Sequence, residues 1–170
     1  DETRTRHRVR ARLSLAGKVN DEVTVKARLA SGSDDPVSMN QTLDDGFSTK
    51  GIHLDRAYFI WAPEMIAGLE IMGGKMSKPW TMVSDLVWDG DLNPEGLALN
   101  IETGMETMDL MLHGGGFWVE ENKAGDDIML YSGQLGVKFK PAEDTHLLVG
   151  GSMYYYDNIE GAAPVVDAED

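Results

Sequence analysis

The 170-residue sequence has no cysteine, which excludes disulfide bonds and any thiolate nucleophile or metal ligand. Basic residues are few: 15 Lys and Arg stand against 29 Asp and Glu, for a net charge of −14. A chain this acidic is not expected to bind nucleic acid, because such binding depends on Lys and Arg that neutralise phosphates. The length fits a single domain, and we place all of residues 1–170 in one.

Long apolar runs are also missing. No segment approaches the roughly 18 apolar residues that a membrane-spanning helix needs, so the sequence excludes a helical membrane protein. Residues 1–15 contain no apolar core of a signal peptide, and if the protein is exported its signal has been removed. Helical periodicity is scarce along the whole chain.

The strongest pattern is an alternation with a period of two. Successive side chains of a β-strand point to opposite faces, so the first segment predicts five guanidinium groups on one face. We call them the arginine row: Arg4, Arg6, Arg8, Arg10 and Arg12. After a short connection at 18–22, a second strand places Lys26 and Arg28 on one face and Val25 and Leu29 on the other.

Six further segments have strand-like patterns, at 51–62, 68–76, 96–102, 107–120, 127–140 and 144–157. Their connections alternate in length, being short at 18–22, 63–67, 103–106 and 141–143, and longer at 31–50, 77–95, 121–126 and after 157. Transmembrane β-barrels have short turns at one end and long loops at the other. We therefore predict an all-β fold, an antiparallel up-and-down transmembrane β-barrel with about eight strands in this chain.

The direction of the first strand suggests that the barrel is larger than this chain. That strand already ends in a short turn, whereas bacterial barrels normally start on the periplasmic side, where the short turns lie. We expect an odd number of strands before Asp1, and the end at 162–170 lacks a terminal aromatic strand. The expectation is a barrel domain that is incomplete at both ends.

Several ordered motifs within residues 4–99 resemble those of the putative porin family of Gram-negative outer membranes. They are Arg6 to Leu13, Val23 to Gly32, Asn40 to Leu43, Leu54 to Tyr58, Gly74 to Met76 with Pro79-Trp80, and Trp88 to Leu97. The resemblance implies a roughly 16-stranded barrel, similar in outline to phosphate-selective porins. It also implies a cell outer membrane location, contact with the lipid bilayer and lipopolysaccharide, small hydrophilic or anionic solutes, and a homotrimer.

The basic residues on strand faces are candidates for lining a pore. Like charges at this spacing repel by roughly 0.5 to 1 kcal/mol per neighbouring pair, so acidic groups or anionic solutes should face them. In a water-filled interior they would favour anions. The predicted pore-lining residues are Arg4, Arg6, Arg8, Arg10, Arg12, Lys26, Arg28, Arg56 and Lys75. The alternative interpretation of this alternating charge is a solvated sheet face.

Other motifs are weaker. Asp89, Asp91 and Asn93 have the one, three, five spacing of a calcium loop, but Pro94 replaces the required glycine, which favours a polar external loop. His53 and Asp55 share a predicted strand face with no nucleophile nearby, so we predict neither an enzyme nor a cofactor nor a metal site.

Two groups of aromatic residues, one at strand ends and one in a long loop, each allow two structural interpretations. Four lie near predicted strand ends, where either an interfacial aromatic girdle or a core would accept them: Trp61, Trp118, Phe139 and Tyr155. Trp80 and Trp88 lie in the long loop at 77–95, which either folds inward and narrows a pore or packs against a neighbouring subunit.

The leading functional hypothesis is an outer-membrane porin that allows passive diffusion of small hydrophilic solutes with an anion preference. The alternative is a soluble all-β module that binds a carbohydrate or an acidic ligand. In that module the two groups of apolar strand residues around Val25 and Val149 would meet in a dry core, whereas in a porin they would meet lipid. A third hypothesis is a barrel that anchors another envelope component.

Overall fold

The computed structural model describes residues 5–123, 125–142 and 144–160. These residues contain ten strands and no helix. The strands are β1 (Arg8–Val9), β2 (Arg12–Lys18), β3 (Val23–Ser31), β4 (Gln41–Thr42), β5 (Ile52–Trp61), β6 (Leu69–Lys75), β7 (Glu95–Glu102), β8 (Met108–Glu120), β9 (Ile128–Ala142) and β10 (Thr145–Asp157).

Eight of these strands form one antiparallel sheet in the order β10-β9-β8-β7-β6-β5-β3-β2. Each pairs with the next large strand along the chain, which confirms the all-β, antiparallel, up-and-down prediction and its eight strands. Strands β2 and β10 form the two edges of the sheet and are not paired with each other. Closure into a transmembrane barrel therefore stays a prediction.

No helix in the described part of the chain is long and apolar enough to cross a membrane.

The first strand differs from its prediction. Strand β2 pairs with β3 only from Arg12 onward, while β1 leaves the large sheet and pairs with β4, Arg8 lying opposite Thr42. The reason is that β3 ends at Ser31, where Gly32 adopts a φ of 132° and turns the chain away. Residues before Ala11 have no partner in β3. Their backbone groups instead form hydrogen bonds with β4, in the loop between β3 and β5.

The register defines two faces of the sheet. The apolar face carries exposed large hydrophobic side chains from seven of the eight strands, while β6 contributes the half-buried Ile71 and the buried Leu69. Its most exposed members include Leu13, Leu15, Leu54, Leu97, Leu135, Leu147 and Met153. On the opposite face the long connection 76–94 folds back over the strands, and we call this the covered face. The buried core lies between that loop and the covered face, around Met72, Ala98, Phe117 and Leu130.

Aromatic side chains stand at both ends of the apolar face. Trp61 and Phe139 lie beside the short turns, 39% and 43% exposed, while Trp118 and Tyr155 lie toward the opposite end, 53% and 56% exposed. Strand β9 rises about 26 Å between Tyr131, which stacks on Tyr155, and Phe139. The structure thus places all four predicted girdle residues on an exposed surface rather than in a core.

A β-bulge in β5 changes the orientation of two predicted residues. Arg28 is opposite Arg56 and Leu29 is opposite Leu54, so Asp55 is the extra residue. The sequence predicts that Asp55 and Arg56 point to opposite faces, which is wrong: the bulge turns both toward the covered face, where each bonds Asn93. A strict period of two holds only where no such residue is inserted.

Candidate functional site

The candidate site is the interface between the covered face and loop 76–94. The loop leaves β6 just after Gly74, whose φ of 120° brings its Cα so close to β5 that an added Cβ would lie 2.3 Å from the oxygen of Ala57. Within the loop, Met76 is fully buried, Trp80 is 5% exposed and Asp91 is 8% exposed. A surface loop would expose these side chains, so the loop is part of the core.

Asp91 attaches the end of the loop to the arginine row. Its Oδ2 accepts from Nη2 of Arg10 at 3.0 Å and its Oδ1 from Nη2 of Arg12 at 2.5 Å. The backbone N–H of Met39 donates a third hydrogen bond at 3.3 Å, which ties the loop between β3 and β5 to the same carboxylate. This contact supplies the acidic partner that the repulsion among the arginines predicts.

Asn93 and Asp55 form a second attachment. The buried carboxylate of Asp55 accepts from Nε of Arg28 and, at 2.6 Å, from Nδ2 of Asn93. Nε of Arg56 donates to Oδ1 of Asn93 at 2.7 Å. The loop amide of Asn93 therefore bonds two adjacent residues of β5, and Asp55 in turn links β5 to Arg28 of β3. The charges of Arg28 and Arg56 are only partly balanced by the single carboxylate.

The charge of Asp91 is stabilised in this setting. Burial by itself raises the pKa of a carboxyl, but the hydrogen bonds from Arg12 and Met39 and the charges of Arg10 and Arg12 together hold the pKa of Asp91 below its usual value. The ion pairs with the arginine row therefore persist through the neutral range.

We expect acid to loosen this attachment. Because the pKa of Asp91 is depressed in the folded protein, its stabilising contribution is complete above the unfolded value of about 4 and is lost as the pH falls through the lower folded value. Fluorescence of Trp80 and Trp88 should change in that acidic range in the wild type, and Asp91→Asn should remove that part of the change. Superimposable acid profiles for the two proteins would contradict the assignment.

The middle of the loop is held by aromatic contacts. The ring of Trp80 lies 5.2 Å from Trp88, 5.6 Å from Phe117 and 5.5 Å from Tyr154, measured between centroids. Trp88 also meets Tyr154 at 5.1 Å. Tilted and edge-to-face pairs at these distances are favourable beyond the area that they bury. Both tryptophans pack on the sheet of their own chain, and the narrowing of a pore by this loop stays a prediction.

A chain of hydrogen bonds across three strands supports this cluster. Asn100 donates through Nδ2 to the oxygen of Pro79, which orients its Oδ1 toward Nδ1 of His113 at 2.8 Å. Nδ1 then carries the proton, and Nε2 accepts from the hydroxyl of Ser132 at 2.7 Å. The ring of Trp80 packs against the imidazole of His113, with 5.7 Å between the two ring centroids. The Ser132 hydroxyl is buried beneath the loop, so its contact with His113 supports the fold and is closed to a substrate.

The structure brings together four of the nine predicted pore-lining residues at the end of the loop. Arg10 and Arg12 bond Asp91, and Arg56 bonds Asn93. Arg28 bonds Asp55, which is itself bonded to Asn93. Lys26 lies on the same face, opposite Tyr58, with its side chain exposed.

The remaining four stand apart. Arg6 and Arg8 are exposed beside and within the β1–β4 ribbon. Lys75 lies opposite Ala57 on the apolar face and pairs with Glu95 at 2.5 Å. Arg4 lies outside the described residues.

The predicted calcium loop has other partners. Asp91 binds arginines, Asn93 binds Asp55 and Arg56, and Oδ1 of Asp89 accepts from the backbone N–H of Asp91. Lys78 donates to the oxygens of Asp89 and Leu92 at 2.6 and 2.9 Å; burial lowers the pKa of its amine. In the part of the chain that the structure describes, no three His, Asp or Glu side chains are grouped to hold a metal ion.

Gln134 and Asn100 are site residues that the sequence analysis did not identify. Gln134 accepts from the N–H of Thr81 at 2.8 Å and donates to its oxygen at 2.9 Å, as a strand neighbour would. Both amides lie at polar positions of alternating strands, which is the one sequence feature that could have indicated them.

These features define a class of protein: an all-β chain with a single meandering antiparallel sheet, one exposed apolar face, and a polar and aromatic interior under a long loop. Over residues 1–168 the chain matches the model of the putative porin family, and it belongs to that family. The match confirms the resemblance and extends it past residue 99. No curated protein matches the chain. Family membership supports a porin-like role and favours a channel over an enzyme.

Proposed function

We propose that this chain contributes to an outer-membrane β-barrel through which small hydrophilic solutes diffuse passively, anions more readily than cations. The observation that carries the proposal is the contrast between the two faces of one continuous sheet. One face exposes large apolar side chains between two rows of aromatic residues, and the other carries the polar network and the cations Lys26, Arg28 and Arg56.

The apolar face supports a lipid-facing surface. Soluble monomers rarely expose contiguous apolar patches larger than a few hundred Å². Here seven of the eight strands expose large hydrophobic side chains on this face, and the spacing of about 26 Å between the aromatic rows on β9 fits an apolar band about 25 Å tall. A bilayer satisfies such a surface without any second protein layer.

The same face argues against the soluble module. That hypothesis requires the apolar residues of the first and last strands to meet in a dry core. Instead Leu13 and Val25 are 60% and 45% exposed, and Leu135 and Val149 are 62% and 56% exposed. Exposure of both groups favours contact with lipid.

The covered face supports a solute path with a positive local field. Although the chain carries −14 overall, a local potential near clustered cations decides which ions approach. Loop 76–94 would lie within the barrel and narrow it. Contact of the other long loops with lipopolysaccharide and assembly into a homotrimer are further parts of the proposal that derive from the resemblance.

Envelope fractionation tests the location. The protein should be recovered with outer membranes and should need detergent to remain in solution. Recovery as a monodisperse protein in detergent-free buffer would overturn the membrane assignment and favour the soluble binding module.

Reversal potentials test the pore and its charge. Arg8→Glu should shift the selectivity of the channel in planar bilayers toward cations, because Arg8 lies in the predicted solute path. Lys75→Glu is the matched control, since it reverses a cation on the opposite face by the same two charge units and should leave the reversal potential unchanged. Equal shifts for the two variants, or none for Arg8→Glu, would count against the lumen assignment.

A further inference from the structure

A groove of about 350 Å³ opens between strands β2, β3 and β5 and the start of loop 76–94. Among the residues that the structure describes, three cations line it and no acidic side chain does. The side chains that matter here are Lys26, Arg28, Arg56, Tyr58 and Ser77. Asp55, which pairs with Arg28, balances only one of these charges, so the site is costly unless an anion occupies it.

Arg28 is the second, independent observation. Its Nε donates to Asp55, yet its Nη2 is buried with no hydrogen-bond partner among the described residues. A buried guanidinium N–H left without an acceptor costs free energy, and nearly all such groups in native structures have partners. The unpaired donor belongs to a residue that lines the groove, and an anion bound in the groove is our candidate for its acceptor.

The neighbouring groups extend this donor set. Lys26 is exposed on the covered face next to Arg28, and Arg56 uses its Nε for Asn93 while its side chain also lines the groove. The hydroxyls of Tyr58 and Ser77 are 3.5 Å apart, so they interact weakly and can turn toward a ligand. Guanidinium, ammonium and hydroxyl donors around a small volume are the donors that oxyanions bind.

We propose that this groove is a discrete binding site for a small oxyanion of the size of phosphate, held by Nη2 of Arg28, the ammonium of Lys26 and the two hydroxyls. The inference rests on the proposed function only in placing the site beside the solute path; binding itself does not require a pore. Solutes with a phosphate or a carboxylate group would then pause at this site during passage.

Titration calorimetry with inorganic phosphate tests the site in detergent micelles, where no conduction is needed. The wild-type protein should bind phosphate saturably at one site. Lys26→Gln should weaken binding roughly tenfold, as expected for the loss of one charge-assisted contact. This variant should fold normally, because the Lys26 side chain is exposed. Arg28→Lys, which keeps a cation beside Asp55 but lacks Nη2, should weaken binding as well.

Lys138→Gln is the matched control. Lys138 lies on the covered face opposite Asp109, five strands from β3, so its loss changes the net charge equally without touching the groove. Binding should change less than twofold. No saturable binding by the folded wild type, or equal weakening by Lys138→Gln and Lys26→Gln, would overturn the site and leave only diffuse attraction.

Planar bilayers separate this inference from the proposed function. Phosphate should reduce chloride current through the wild-type channel at concentrations that half-saturate the calorimetric site, and Lys26→Gln should need about tenfold more. Phosphate binding in micelles without any conductance would contradict the proposed channel function and support the binding site. Conductance without saturable phosphate binding would support the proposed channel function and contradict the binding site.

Discussion

Replacing Trp80 with alanine is expected to cost about 3 to 5 kcal/mol of folding free energy, the range measured for large aromatic truncations in cores. Trp80 is 5% exposed and contacts Trp88, Phe117 and Tyr154 on three sides. Its removal leaves a cavity that the β-strands are too rigid to fill. Urea unfolding of the protein in detergent, followed by circular dichroism, measures the change.

Val83→Ala is the control for this prediction. Val83 belongs to the same loop but is 99% exposed, so its truncation should change the free energy of unfolding by less than about 0.5 kcal/mol. Loss of the Trp80 side chain should also release loop 76–94 and raise the single-channel conductance, because the loop would then narrow the pore less. Equal stability of Trp80→Ala and Val83→Ala would contradict the inward packing of the loop.

The strands were predictable because each is long and has chemically distinct faces. Strands β9 and β10 alternate over more than ten residues, and their observed bounds lie within two residues of the prediction. The β1–β4 ribbon was not predictable, since two-residue strands have no detectable period and their pairing is decided by where β3 ends. The bulge at Asp55 follows from tertiary contacts with Asn93 rather than from the local pattern.

The cations of the site were identified from sequence, but their partners were not. Arg10 and Arg12 meet Asp91 across roughly eighty residues of chain, and a single sequence contains no signal for such a contact. Repulsion within the arginine row predicts that some carboxylate must approach, yet the chain offers 29 acidic residues. Lys75, by contrast, is in phase with Leu69 and Ile71 along an unbroken β6, so strict alternation alone places it on the apolar face.

The second large effect is expected for Asp55→Ala. Asp55 is 2% exposed and accepts from Arg28 and Asn93, so its truncation leaves the Arg28 guanidinium buried without a counter-charge. Removing one partner of a buried ion pair typically costs about 3 to 5 kcal/mol. Urea unfolding should show a loss of that size, and Asp44→Ala, which removes only an exposed carboxylate 3.8 Å from Lys50, should show almost none.

A double variant separates the free-energy cost of leaving the Arg28 charge unpaired from the cost of lost packing. Arg28→Met with Asp55→Ala removes both charges, and a similar apolar volume replaces the guanidinium stem, so the pair should recover much of the stability that Asp55→Ala loses. The coupling between the two positions would then be strongly non-additive. If Arg28→Met instead adds its own full cost to that of Asp55→Ala, the contact does not stabilise the sheet as an ion pair. The bulge would then be held by Asn93 and the loop alone.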